Sequence, residues 1–297
     1  MGAYAAALPL TRETLPPRPS LWQRLGRNRR IQFGVVILMV IAVAALAAPL
    51  LTHVDPRTPH PGISNHPPFS TDGTFSVLGT DSLGRDIWSR ILYGARISLL
   101  IGVAAASVAL LIGVPLGLVA GFFGGPMNTV IMRWVDIQLA IPFFLLAITI
   151  AALFGQGLFN VIILLGLTSW VGYTRVTRAQ VLQVRELPYV EAARSIGATQ
   201  LTVLTRHVLP NIWTPILVLA SQQVGALIIA ESSLTFLGIG IPPDIPSWGG
   251  MIANGRNYLG TAWWISTVPG FALTLTVVAV YFLGDGLRDV LDPRSRR

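Results

Sequence analysis

Few side chains in this sequence are spaced for chemistry. His53, His60 and His66 share one stretch rich in proline and glycine. Imidazole is a common metal ligand, and such a set could begin a zinc shell. Ligation also needs second-shell partners to orient each ring, and the pattern of neighbours supplies none. These histidines are read as polar loop residues, and no metal is assigned. His207 has no acidic or thiol neighbour in sequence. Cysteine is absent, which excludes disulfides and thiolate nucleophiles. There is no GxxxxGK[ST] phosphate loop, no HExxH and no GxSxG. ATP hydrolysis by a phosphate loop, zinc proteolysis and serine esterase chemistry therefore lack their machinery.

The polar residues that remain stand in or beside apolar runs. Glu231 and Asp136 lie near the ends of such runs, where a carboxylate costs less than the about 2.5–3.5 kcal/mol of a helix centre. Asp136 suits an i,i+3 pair with Arg133. Glu231 has two readings: it faces a translocation pathway or outer gate, or it is a helix-end group satisfied by Ser232, Ser233 or water. Gln222 and Gln223 sit deeper. In hydrocarbon they want a partner on another helix or a wet cavity, so they too are candidates for the pathway. Gly113, Gly117 and Gly121 recur every fourth residue and make a smooth stripe suited to close helix packing.

The elements that must position these residues follow from composition. The chain of 297 residues is 53% hydrophobic and 11% charged, against about 25% charged in a soluble domain. A hydrocarbon layer about 30 Å thick takes about 20 apolar residues per helix. Six runs qualify, at 32–51, 97–120, 137–154 (interrupted by Pro142), 158–174, 213–231 and 264–284. The predicted organisation is a tail over 1–30, a first transmembrane helix over 31–52, and a loop with an interfacial helix over 53–96. A core of five transmembrane helices follows over 97–287, with a polar connector at 175–211 and a Pro/Gly-rich loop at 238–263. A short tail closes the chain over 288–297.

All 21 basic residues are arginine, and the net charge is +8. In a chain this apolar the excess marks loops beside anionic lipid rather than a nucleic-acid surface. The arginines concentrate before the first span, in 175–210 and after the last span, which six crossings put on one side. That side, with both termini, is expected to be cytoplasmic. On the other side, "GTDSLGRDIWSRILYGARISL", 79–99, pairs Asp86 with Arg90 at i,i+4 and suggests the interfacial helix. Trp248, Trp263 and Trp264 suit anchors at the headgroup level.

The connector contains "EAARSIGATQLTVLTRHVLPN", 191–211. Pro188 suits the first turn of a helix. Val190, Ala193 and Gly197 follow at i, i+3 and i+7 as a small apolar face, and Glu191 and Arg194 share another face as a pair. Gly197 suits a left-handed stop. Thr199 suits the N-cap of a second helix, with Leu201, Leu204 and Val208 as its apolar side and Pro210 as its end. Small residues such as Ala192, Ala193 and Ser195 favour docking into a protein groove over lying in a headgroup layer.

The spacing of Glu191, Ala192, Ala193 and Gly197, with Leu209 and Pro210 closing it, resembles the "EAA" loop of ABC importer permeases. His207 departs from the pattern, which often has isoleucine there. "GTDSLGRDIWSRILYGARISL" and "ESSLTFLGIGIPPDIPSWGGMI", 231–252, look like segments of the second-type permease of dipeptide, oligopeptide and nickel importers. The resemblance implies an all-α membrane protein with the six-helix, MetI-like fold of type I importers and a cytoplasmic coupling helix. It implies half of a translocation pathway for di- or oligopeptides in a bacterial inner membrane. Nickel or another metal chelate, or glutathione, stands as an alternative cargo. The implied partners are a second, homologous permease, an extracytoplasmic binding protein and two ATPase chains holding ATP and Mg. No cofactor is implied in this chain. Asp81, Arg85, Asp86, Pro246 and Trp248 become candidate contacts for the binding protein. An ion channel or an intramembrane enzyme is the rival class; the missing catalytic constellations speak against the enzyme, a channel would conduct without ATPase partners, and the EAA pattern speaks against an exporter.

Overall fold

A computed structural model describes residues 21–70 and 76–291. The expected tails lie mostly outside these residues, as do Arg12, Arg18, Arg294, Arg296 and Arg297. Among the described residues there is no strand; two isolated bridges, Ser70 with Ser76 and Thr80 with Asp86, staple one loop. A short helix, α1 (Leu21–Arg27), precedes α2 (Arg29–Leu46), whose first N–H groups are capped by the Asn28 side chain. One turn, α3 (Ala48–Leu51), leads into the loop.

The next element overturns one expectation. Among the described residues no separate interfacial helix precedes the second span; α4 (Ile87–Phe123) is a single helix of 37 residues. At 1.5 Å per residue it is about 55 Å long, well beyond the about 30 Å of hydrocarbon. Asp86 starts it, accepting a hydrogen bond from the Ser89 N–H at 2.8 Å. That cap also explains why Asp86 and Arg90 are not a pair, since the carboxylate is turned to the backbone.

The third span is likewise not one helix. α5 (Gly125–Ala140) and α6 (Phe143–Phe154) meet at a bend of 89°. Pro142 forces extended backbone on Ile141, at φ −94° and ψ 121°, because its ring crowds the preceding residue. Five helices are long and apolar enough to cross a membrane, and the bent pair makes a sixth crossing. Arg133 and Asp136 form no ion pair, and both are exposed.

α7 (Leu158–Val184) runs parallel to α4 along the glycine stripe. Gly113 lies against the Trp170 carbonyl and Tyr173, Gly117 against Thr174 and Thr177, and Gly121 against Arg178 and Val181. The connector then holds α8 (Pro188–Ser195) and α9 (Gln200–Thr202), followed by α10 (Leu209–Phe236). α10 returns antiparallel to α4, with Gly102 against Ile228 and Ser98 beside Glu231. A short α11 (Trp248–Gly255) precedes α12 (Trp264–Leu291). α12 packs antiparallel to α10 and to α2, where Gly286 meets Ile31 and Arg30 reaches Asp289 at 3.0 Å. This order puts the start of α2, the ends of α4, α7 and α12, and the connector at one end of the bundle. The 52–86 loop and α11 occupy the other.

Candidate functional site

At the connector end, Gly197 adopts φ +84°, a conformation that favours glycine, and turns the chain sharply after α8. Thr199 caps α9, its Oγ1 accepting the Thr202 N–H at 3.3 Å. The two short helices meet in a corner, but the second does not stop at Pro210. A π-helical stretch, Val203–Val208, carries α9 into α10, and the Leu209 N–H donates to the carbonyl of Leu204, five residues back. Pro210 offers no N–H, and its ring would press on the carbonyl four residues earlier. The wider π turn removes that conflict, so the corner and the membrane helix are one continuous body from Gln200 to Phe236.

Of the small residues expected to meet a partner, Ala192 and Ser195 are exposed and Ala193 is turned inward. Val190 and Ala193 are buried, and Val190 shares a core cluster with Phe122, Val181 and Val184 at the ends of α4 and α7 and with Val203 and Val208 of the π-helical stretch. The outward face carries Tyr189, Ala192 and Ile196, with Leu201 beside them; Ile196 is 87% exposed. Tyr189, Ala192 and Ile196 also repeat at i, i+3 and i+7, so the sequence held two candidate apolar faces. Packing onto the bundle decided between them. Glu191 and Gly197 are exposed as well, Leu209 is half-buried and Pro210 is exposed. Glu191 and Arg194 form no ion pair; the Arg194 guanidinium lies 5.6 Å from the Phe122 ring centroid instead. His207 lies near Tyr189, ring centroids 6.3 Å apart.

At the opposite end, the residues expected to touch a partner directly are turned inward. Asp81, Arg85, Pro246 and Trp248 are buried, and Asp86 is half-buried as the cap of α4. Asp81 Oδ2 accepts from Arg85 Nε at 2.7 Å, and Arg90 Nε stands 3.7 Å away. The Trp248 indole donates to the Ile91 carbonyl at 3.2 Å, and that of Trp264 donates to the Thr80 carbonyl at 3.3 Å. Both indoles tie loops to helices and are not headgroup anchors; of the three, Trp263 alone is exposed. These side chains shape the surface, while Leu83, Pro243 and Asp244 are on it. His53 lines an open cleft of about 710 Å³ with Arg57 and Arg96. The structural bonds of His60 and His66 are backbone ones, to Leu83 and Thr80. Among the described residues no group of three His, Cys, Asp or Glu gathers to hold a metal.

Glu231 is fully buried between α10 and α4. Thr235 Oγ1 donates to it at 2.9 Å, Ser232 Oγ at 3.2 Å and Ser98 Oγ at 3.5 Å. The partners anticipated for it were Ser232 and Ser233; Ser233 instead bonds the Ile229 carbonyl. Thr235 also accepts the Ile241 N–H at 3.1 Å, so the network pins the loop after α10. Nothing places this carboxylate on an open surface. Gln222 is half-buried, its Nε2 donating to Asp285 Oδ1 on α12 at 3.3 Å; Gln223 is half-buried as well.

Comparisons with known proteins agree with this geometry. Residues 113–297 match the family described as binding-protein-dependent transport system inner membrane component. Residues 20–68 match the N-terminal TM domain of oligopeptide transport permease C. The chain is 40% identical to the di/tripeptide transport system permease protein DppC of Pseudomonas aeruginosa, covering 94% of this chain and 93% of that one. It is 41% identical to the dipeptide transport system permease protein DppC of Bacillus subtilis, over 94% and 88%. It is 39% identical to the glutathione transport system permease protein GsiD of Pectobacterium atrosepticum, over 99% and 97%. Among solved structures, a chain of the MetNI methionine ABC transporter shares the fold, with a TM-score of 0.56 and 19% identity over 69% of this chain and 98% of that one.

Proposed function

We propose, from the premise that this chain belongs to the family of binding-protein-dependent transport system inner membrane components, that it is the permease half through which an importer carries di- or oligopeptides. As a member it is a multi-pass inner-membrane permease subunit of an ABC importer, not an enzyme, and works with ATPase and substrate-binding partners. In our reading a second, homologous permease completes the pathway. Two ATPase chains bind ATP and Mg on the cytoplasmic side, where the connector 175–211 and both termini lie. The 53–96 and 238–263 loops meet the binding protein through their exposed residues, on the frame that Asp81, Arg85, Asp86, Pro246 and Trp248 hold.

One observation carries the coupling role. α8 presents Tyr189, Ala192 and Ile196 outward while its buried side, with Val190 in the core, packs on the π-helical stretch. A partner seated on that face moves α10 with it, because the π-helical stretch on which α8 packs is continuous with α10. An ATPase pair favours one transporter state only if it binds the two states differently, and this face is where that difference acts. Glu191, Gly197, Leu209 and Pro210 belong to the same unit, through the exposed rim, the turn and the π-helical junction.

The test uses the reconstituted complex with its binding protein. Ile196→Asp and Gly197→Pro are expected to insert and assemble normally yet lose at least about tenfold of the ATPase stimulation by loaded binding protein. Normal stimulation in both variants overturns the reading. Offering dipeptides, oligopeptides, glutathione and a nickel chelate in turn identifies the cargo. The glutathione reading is favoured by the 39% identity to GsiD over nearly the whole chain, and glutathione is itself a tripeptide.

A further inference from the structure

Among the described residues, Asp81 is the carboxylate that pairs with two buried guanidiniums. The side chains of Asp81, Arg85 and Arg90 are 4%, 7% and 2% exposed, and both arginines approach the same oxygen, Oδ2. Two cations against one anion leave a positive charge in excess in a dry setting, which is unfavourable unless something answers it. Arg90 spends Nη1 on the Pro56 carbonyl at 2.9 Å. Its Nη2 has no hydrogen-bond partner among the described residues.

Arg90 forms part of the wall of a cavity of about 250 Å³ between α4, the end of α10 and α11. Arg256 and Asn254 face it from the end of α11, and no acidic residue lines it. The Arg256 guanidinium is held 5.5 Å from the Phe236 ring centroid, which orients a charge that is otherwise exposed. Gln156 closes the far wall by donating to the Gly238 carbonyl at 2.6 Å. A buried cation in excess, with a second cation and the Asn254 amide lining the same cavity, suits a planar anion bound by charge-assisted hydrogen bonds.

We propose that this cavity is a carboxylate subsite that receives the C-terminal carboxylate of a peptide passing the outer end of the permease. The assignment rests on the peptide reading above. Every di- or oligopeptide with an unblocked end carries this group whatever its side chains, so the subsite recognises the class and not a sequence.

The experiment compares import of one dipeptide as free acid and as C-terminal amide, in proteoliposomes holding the complete complex with one unchanged binding protein. The preference of the binding protein enters wild type and variant alike and cancels in the free-acid to amide ratio. Arg256→Gln is expected to lower that ratio about tenfold, and Arg256→Lys, which keeps the charge, to restore part of it. The ratio is read per working transporter, so a lower yield of either variant does not blur it. An unchanged ratio in Arg256→Gln, with the wild type importing the free acid, overturns the subsite and leaves the peptide reading standing. Wild type importing neither peptide overturns both. An equal fall for both peptides, with weaker docking of the substrate-free binding protein, assigns the cavity to an acidic side chain of that protein and overturns the substrate subsite.

Discussion

Asp81 holds its loop by both oxygens. Oδ1 accepts the N–H groups of Leu83 and Arg85, at 2.9 and 3.0 Å, while Oδ2 faces the guanidiniums. Asp81→Asn keeps an acceptor for the turn but removes the negative charge that Arg85 and Arg90 share. Breaking such a set costs about 3–5 kcal/mol, and the expected result is a clear fall in the melting temperature of the purified protein. Glu231 behaves differently because its partners are neutral hydroxyls. Glu231→Gln retains an oxygen for Thr235 and is expected to be mild. Glu231→Leu strands buried hydroxyls at about 1–3 kcal/mol each, and the same melting assay is expected to rank leucine well below glutamine. Ranking them equal would return Glu231 to the open-pathway reading.

Between elements, the parallel contact of α4 and α7 is the most extensive in the bundle, and it depends on glycine. A Cβ on Gly117 would stand 2.6 Å from the Thr174 carbonyl oxygen and from Thr177 Cβ. A carbonyl inside a helix gives little, so Gly117→Ala is expected to cost about 1–3 kcal/mol by overpacking. Gly172 lies on α7 with open space around its Cβ position. Gly172→Ala is the control, expected to leave thermal stability unchanged in detergent. The connector obeys the same logic of fit: α8 is stapled by Val190 and Ala193, and the π-helical stretch spares α10 a break at Pro210.

For the whole molecule the decisive quantity is the number of crossings. Five long helices and one bent pair put the α8 corner and the 52–86 loop at opposite ends. The chain has no cysteine, so single cysteines report sidedness without background. Ile196→Cys and Leu83→Cys, both at exposed positions, are expected to react with an impermeant maleimide from opposite faces of the membrane, Ile196 from the cytoplasmic one. Labelling of both from one face would remove a crossing and with it the coupling assignment.

Hydropathy alone determined the membrane class, the number of apolar runs and the place of the connector, because transfer into lipid depends on composition summed along a segment. The turn at Gly197, the Thr199 cap and the packing of the Gly113–Gly117–Gly121 stripe were also legible, since each follows from local backbone chemistry or from one smooth face. Tertiary structure alone decided which face of α8 looks outward, because Val190–Ala193 and Tyr189–Ala192–Ile196 satisfy the same helical period and only packing on the π-helical stretch and the core beneath it breaks the tie. It also decided that Arg90 joins Asp81 while Asp86 caps the helix, and that Arg256 and Arg90 line one cavity. Arg256 stands more than 160 residues from Arg90 in the chain, and no pattern in sequence measures the distance between groups that only folding brings together.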